Sequence, residues 1–241
     1  MRESNDSALY LAWVFFKSNL AVSFSIIGIL FLLMMFSFVP IIGFISSILI
    51  SFVGITIGAF FAKAVIKAKT PEEMVEIAKS TTVKSLLMDN MSVAIGVYLA
   101  SLIVFIIAFI VIGLLGSLVA NDIAYFQYTG HVSATAIILM IIDLALILIL
   151  FYIYPAVIGH AYMSDDFTDA FKKVFLMLNP SFWKKTFNVR YMILVFIWML
   201  VFPTAFLLAF ISMFVLIGFI LLFILLLYSS AIYGYAYLLS K

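Results

Sequence analysis

The sequence predicts an all-α, polytopic membrane protein, and three observations carry that reading. Residues of apolar type make up 67% of the chain and charged ones 10%, outside the range of soluble domains. The apolar residues gather into six runs, each near the ~20 residues that an α-helix needs to cross the hydrocarbon core. Every Lys and Arg falls in segments on one and the same side of those runs.

The runs extend roughly over residues 20–39, 42–62, 92–115, 135–159, 191–210 and 214–237. The segment before the first carries both acids and bases and no small-residue cleavage pattern, so that run is expected to be a retained span and not a signal peptide. The last two runs are nearly continuous, with Pro203-Thr204 or Ser212 as the expected turn.

Charge sets the orientation. Arg2 and Lys17 precede span one; Lys63, Lys67, Lys69, Lys79 and Lys84 lie between spans two and three; Lys172, Lys173, Lys184, Lys185 and Arg190 lie between spans four and five; Lys241 follows span six. The opposite connections, around Pro40, around residues 121–131 and around residues 203–212, carry no Lys or Arg. Both termini are therefore expected in the cytoplasm, with the chain in the cytoplasmic (inner) membrane.

The polar connections on the basic side read as helical. Thr70 is a good N-cap, Pro71 suits the first helical position, and Glu73 stands where a capping box places its carboxylate. In "SDDFTDAFKKVFLMLNP", acids occupy the first turn and Phe167, Ala170, Phe171, Val174 and Leu178 recur on one helical face. With Lys172 and Lys173 beside them, and Trp183, Lys184 and Lys185 just after, they predict a helix lying on the membrane surface. "VFFKSN", "VKSLLMDN" and "FWKKTFN" each precede a transmembrane hairpin. The chain thus reads as a single domain, 1–241, of three surface-helix-plus-hairpin repeats, about 6–69, 70–163 and 164–241, the middle one enlarged by an outer loop over residues 117–134.

Three such units, with "DAFKKVFLMLNPSFWKKTFNVRYMILVF" leading into span five and "YSSAIYGYAYLLSK" in the last helix, resemble YciC-type bacterial inner-membrane proteins. They are also similar to the membrane domain fused to some glycerophosphodiester phosphodiesterases. The resemblance implies a six-helix inner-membrane fold and no particular activity, and it carries over no catalytic residue.

Chemistry has few places to reside. There is no cysteine, which excludes disulfides, thiolate metal sites and thiol nucleophiles, and two histidines, His131 and His160, each alone in its segment, cannot build a metal site by themselves. No zinc-protease, nucleophile-elbow or phosphate-loop motif occurs, and intramembrane aspartyl catalysis needs two carboxylates where the spans hold one. No enzyme, metal or cofactor is expected. A net charge of +2 spread over mixed-sign loops excludes a nucleic-acid surface.

That one carboxylate, Asp143, is the sharpest candidate, because an ionisable group within a span costs ~2.5–3.5 kcal/mol on insertion scales and faces protein or water. At ~1.5 Å per residue its depth matches Ser47 and Ser51 on span two and Pro203 and Thr204 on span five, which are the expected neighbours. Asp143 is then either a neutral hydrogen-bonding residue in the bundle or the ionisable element of a pathway. A second signal is the stripe Ser47, Ser51, Gly54, Gly58 and Ala62, small residues that let helices approach, within the chain or in a homodimer. Aromatic residues, among them Trp13, Phe182, Trp183, Tyr152, Tyr154, Tyr228, Tyr233, Tyr235 and Tyr237, collect toward the basic side as an interfacial belt or as the lining of a lipid-headgroup or ligand pocket.

The leading functional expectation is a non-enzymatic, lipid-associated or membrane-assembly component whose partners are membrane lipids, a cytoplasmic or membrane protein, or a second copy of the chain. The competitors are a small-solute or ion transporter or channel using Asp143, and the membrane subunit of an ABC-type complex with "TPEEMVEIAKS" as coupling helix.

Overall fold

The computed structural model describes residues 3–68, 70–129, 133–212 and 217–241, the stretch 121–129 by its backbone alone. Arg2, Lys69 and His131 lie outside the described residues. The described elements are α1 (Asn5–Ser18), α2 (Leu20–Ser37), α3 (Ile42–Lys67), α4 (Pro71–Ser80), α5 (Val83–Met88), α6 (Met91–Thr129), α7 (Ala134–Tyr162), α8 (Phe167–Val174), α9 (Pro180–Thr186), α10 (Val189–Ile211) and α11 (Ile217–Leu239). No strand occurs among the described residues, and α2, α3, α6, α7, α10 and α11 are long and apolar enough to cross a membrane.

Side-chain caps mark where the helices begin. Thr70 accepts from the Glu73 amide at 3.3 Å, as its position before Pro71 predicts, and Asn188 accepts from the Tyr191 amide at 2.9 Å to start α10. A full capping box also stands between Thr82 and Ser85 at the start of α5. Asn19, between α1 and α2, donates to the carbonyls of Ala78 and Thr81 at 2.7 and 2.9 Å, so one side chain ties the first connection to the end of α4.

Three sequence expectations change. Residues 117–129 continue α6 as helix where an outer loop was expected, because their apolar periodicity runs on without a Gly or Pro to stop it. Pro203 lies inside α10 and not at a turn; a proline within a span removes one amide donor without ending the helix, which runs on to Ile211 with Ser212 as its cap. The helix expected through Leu178 is α-helical only to Val174 and tightens into a 3-10 turn over Phe175–Leu178 before Asn179 caps α9.

α11 lies at the centre and packs against α1, α3, α7 and α10. Of its most apolar 18-residue window 61% is buried, against 11% for α6 and for α7, which distinguishes a core helix from two whose outer faces meet the bilayer. Close approach is made possible by two glycines: a Cβ on Gly159 of α7 would strike the Tyr233 carbonyl of α11, and one on Gly234 of α11 would lie 3.0 Å from the Ala62 carbonyl of α3. The bundle is thus drawn together at the ends of α3, α7 and α11. Those ends meet the starts of α6 and α10 through Lys63, whose Nζ donates to Asn90 Oδ1 and the Ser164 carbonyl at 2.8 Å each, and through Asn188 Nδ2, which donates to the Leu239 carbonyl at 2.9 Å.

Alanine at three glycines separates these contacts. Gly54, with open space around it, is expected to gain up to about 1 kcal/mol as alanine from helix propensity alone. Gly58, whose Cβ would meet the Tyr162 side chain, should lie between, and Gly159, opposed by backbone that cannot turn away, should lose ~1–3 kcal/mol. Thermal unfolding in detergent reads the order, and a Gly159→Ala protein as stable as Gly54→Ala contradicts the packing at α7 and α11.

Candidate functional site

An apolar groove of about 770 Å3 lies between α6, α7, α10 and α11. On α7 it takes Ile147, Leu150, Phe151 and Tyr154, a set at i, i+3, i+4 and i+7 and so one helical face. Across from them stand Phe105, Ala108 and Phe109 of α6, Trp198 and Phe202 of α10, and Tyr233 of α11. Its volume falls within the ~300–1,000 Å3 of ligand pockets, and its walls are almost wholly hydrocarbon and aromatic ring. It exists because α10 packs closely on α11 and only lightly on α7.

Aromatic packing closes one end. The Tyr233 ring meets Tyr154, Tyr162 and Trp198 edge-on at centroid distances of 5.9, 6.0 and 5.8 Å, and Trp198 Nε1 donates to Ser229 Oγ at 3.2 Å inside the bundle. Beyond it, Tyr152 Oη donates to the Thr186 carbonyl and Tyr191 Oη to the Tyr152 carbonyl, both at 2.7 Å, joining α7 to α9 and α10. His160 contacts Ser240 Oγ at 3.2 Å and stands edge-on to Phe182 and Tyr237, which fixes the last turn of the chain to α7 and α9. These tyrosines are therefore mostly part of the bundle and not an exposed belt: Tyr228 and Tyr235 are buried, and Tyr154 and Tyr233 line the groove between spans four and six.

Asp143 lies on α7 one turn beyond Ile147, on the groove-facing side by helical register, and its Oδ1 is buried without a hydrogen-bond partner among the described residues. Its expected neighbours are not gathered around it. Ser47 and Ser51 are exposed and donate to the Gly43 and Ser47 carbonyls of their own helix at 2.8 and 3.0 Å; Thr204, also exposed, donates to the Leu200 carbonyl at 3.0 Å. Equal depth along the membrane normal does not give equal azimuth around each helix, and each hydroxyl is satisfied locally by the back-bond available to Ser and Thr.

The small-residue stripe divides in the same way. Gly58 and Ala62 are buried against Tyr162 and Gly234, so the half near the basic end packs within the chain, while Ser47, Ser51 and Gly54 meet no close neighbour across the helix. On the surface helix, Ala170 and Val174 are buried against α6, Gly96 giving α8 room to approach; Phe167, Phe171 and Phe175 stack along the side, with Lys172 exposed. Trp183 Nε1 donates to the Met177 carbonyl at 2.9 Å and Phe182 is buried beneath His160, so this segment docks on the bundle as much as on lipid. Lys184 and Lys185 are exposed at the end of α9. Among the described residues no group of His, Asp and Glu is placed to hold a metal ion.

No family model, curated protein or solved structure matches this chain.

Two outcomes are expected. Asp143→Leu removes a buried oxygen that nothing satisfies and should raise the unfolding temperature, by an amount equivalent to about 1–3 kcal/mol; a drop would reveal a partner for the carboxylate. In α8 the 2.6 Å pair from Lys173 Nζ holds the Asp169 carboxyl below the usual carboxylate range. A depressed carboxylate stabilises above its unfolded pKa and loses that contribution as pH falls through its folded value. Because the pair is well exposed, solvent screening limits it to a few tenths of a kcal/mol. Lys173→Met should remove most of that acid-limb loss in α8, read by hydrogen exchange between about pH 2 and about pH 5, while Lys172→Met keeps most of it.

Proposed function

We propose that the chain is a non-enzymatic, lipid-associated component of the cytoplasmic membrane, and that the groove between α6, α7, α10 and α11 receives an acyl chain of a surrounding lipid. The groove carries this reading. It offers hydrocarbon and aromatic surface with almost no polar group, in a part of the molecule whose outer faces are themselves apolar. A polar solute would find there nothing to replace its hydration, whereas an acyl chain loses none.

In this reading both termini are cytoplasmic, and the basic end of the bundle, with Lys63, Lys67, Lys172, Lys184 and Lys185, faces the inner leaflet. Three units of surface helices plus hairpin, α1 with α2–α3, α4 and α5 with α6–α7, and α8 and α9 with α10–α11, agree in element order with an internal repeat and with the YciC-type pattern. Surface charge at Lys172, Lys184 and Lys185 suits anionic lipid or an acidic cytoplasmic partner. The transporter alternative keeps one supporting observation, the unpartnered Asp143 oxygen one turn from the groove.

Filling the groove tests the proposal. Ala108→Trp places an indole among Phe105, Leu150 and Phe202. Native mass spectrometry of protein extracted in lipid nanodiscs should then show retained phospholipid falling several-fold relative to wild type, with unfolding unchanged. Equal lipid retention by a folded Ala108→Trp protein would sink the acyl-groove reading.

A further inference from the structure

A second cavity, about 450 Å3, opens where the end of α3 meets α4, α5 and the residues leading into α6. It differs in kind from the groove: Lys63, Lys67, Ser80, Thr81, Asp89 and Asn90 line it. Lys63 and Lys67 are one turn apart on the same face of α3, so two like charges stand side by side, an arrangement that costs free energy unless an anion lies between them.

The half-buried ammonium of Lys63 is held by neutral oxygens, Asn90 Oδ1 and the Ser164 carbonyl, both at 2.8 Å. An ammonium carries three donors, and the two bonds use two. Among the described residues the one ion pair is Lys173 with Asp169, so neither Lys63 nor Lys67 has a carboxylate in contact. Asp165 and Lys173 act on Lys63 from a distance and with opposite sign. A partly desolvated cation with only neutral ligands is an incomplete arrangement, and one anion completes it.

The other lining groups narrow the ligand. Ser80 and Thr81 donate to the Ile77 carbonyl at 3.0 and 2.7 Å, and Ser85 to the Thr82 carbonyl at 2.9 Å, so their hydroxyl protons are committed within the backbone. Recognition therefore falls to the two lysine ammoniums, with the Asn90 amide beside them and the Asp89 carboxylate as the one like-charged group on the wall, and flexible point charges suit a phosphate oxygen cluster better than a planar carboxylate that calls for a forked donor. Depth adds the source. α3 has 26 residues, a length of about 39 Å at ~1.5 Å each, against ~30 Å of hydrocarbon core, which puts its last turns at headgroup level.

We infer that this cavity binds the phosphate of an anionic phospholipid headgroup, with Lys63 and Lys67 as its cations. The inference shares with the proposed function the premise that α3 crosses the bilayer, and it does not depend on the acyl groove.

The test uses the full chain in nanodiscs of phosphatidylcholine with a minor fraction of phosphatidylglycerol, and native mass spectrometry counts each lipid retained. Lys67 is exposed, so Lys67→Glu should fold normally. It should lower phosphatidylglycerol retention about thirtyfold, two units of charge at ~1 kcal/mol each at the surface, while Lys84→Glu, an exposed lysine outside the cavity, should change it about threefold or less. Lys63→Gln should act in the same direction as Lys67→Glu. Inorganic phosphate is titrated separately in pure phosphatidylcholine discs, with protection of Lys67 from acetylation as readout. Protection by millimolar phosphate together with no preference for phosphatidylglycerol would overturn the lipid source and assign a soluble phosphate compound. Retention equal in wild type, Lys67→Glu and Lys63→Gln, with no protection by phosphate, would overturn the site. Loss of phosphatidylglycerol in Ala108→Trp but not in Lys67→Glu would also overturn it, by assigning retention to the groove, whereas the reverse pattern upholds this site and removes the groove.

Discussion

Three helices approach one another closely where Gly159 of α7 meets the Tyr233 backbone of α11, and Gly234 of α11 meets the Ala62 backbone of α3. Within a bilayer no hydrophobic effect drives apolar helices together, since lipid is as apolar as leucine, and association rests on packing and on polar contacts. Glycine at these crossings supplies the first by letting backbones touch. The buried tyrosine, tryptophan and serine groups of the same region supply the second, as Trp198 with Ser229 and Tyr191 with the Tyr152 carbonyl illustrate. With α11 held in this way, α1 and α10 find a surface to pack on, and the ends of α3, α7 and α11 become the floor on which the short helices lie.

In the opposite half, the described residues of α6 and α7 show no such glycine contact. Gly113 and Gly116 of α6 have open space around them, as do Gly28 and Gly54, and the outer parts of α6 and α7 present Phe109, Leu114, Ile141 and Leu144 outward. In water that surface would aggregate; against lipid it is the ordinary exterior of a span. The groove follows from how α10 packs, closely on α11 and only lightly on α7, which leaves space between α6, α7 and α10. Ligand-sized volume arises here from where the close contacts stop, without any residue dedicated to shaping it.

Much of this was legible from residues alone. Six spans follow from hydropathy because a bilayer imposes one length on every crossing helix, and Thr70 could be named as a cap because its hydroxyl sits before a proline at the first helical position. Side-to-side relations were not legible. Asp143, Ser47, Ser51 and Thr204 share a depth, which sequence position reports through the helical rise, yet their facing depends on rotation about each helix axis, set by contacts such as Gly58 with Tyr162 that only the folded chain contains. The stripe Ser47 to Ala62 was read as one feature because its spacing is uniform, whereas burial changes midway along it. The lysine cavity was missed for a related reason. Lys63 and Lys67 look like ordinary loop-flanking charges, and nothing in their spacing announces that Asn90 and Ser164, 27 and 101 residues away, would take up two of the donors of Lys63.

A contrast in polarity connects the two cavities to one architecture. Positive charge among the described residues is confined to the basic end, and there the connections fold back as α1, α4, α5, α8 and α9 to cover the helix ends. Covering them dries the lysines partly and leaves Lys63 among neutral oxygens, so the desolvation that tightens the bundle also makes an anion favourable beside it. At the span level the opposite holds: no charge other than Asp143 interrupts the walls, and hydrocarbon meets hydrocarbon. A phospholipid has the same division along its own length, a charged phosphate at headgroup depth and acyl chains below it. The polar cavity at the end of a long span and the apolar groove beside the spans divide in the same way, and that correspondence is the common ground of the two proposals.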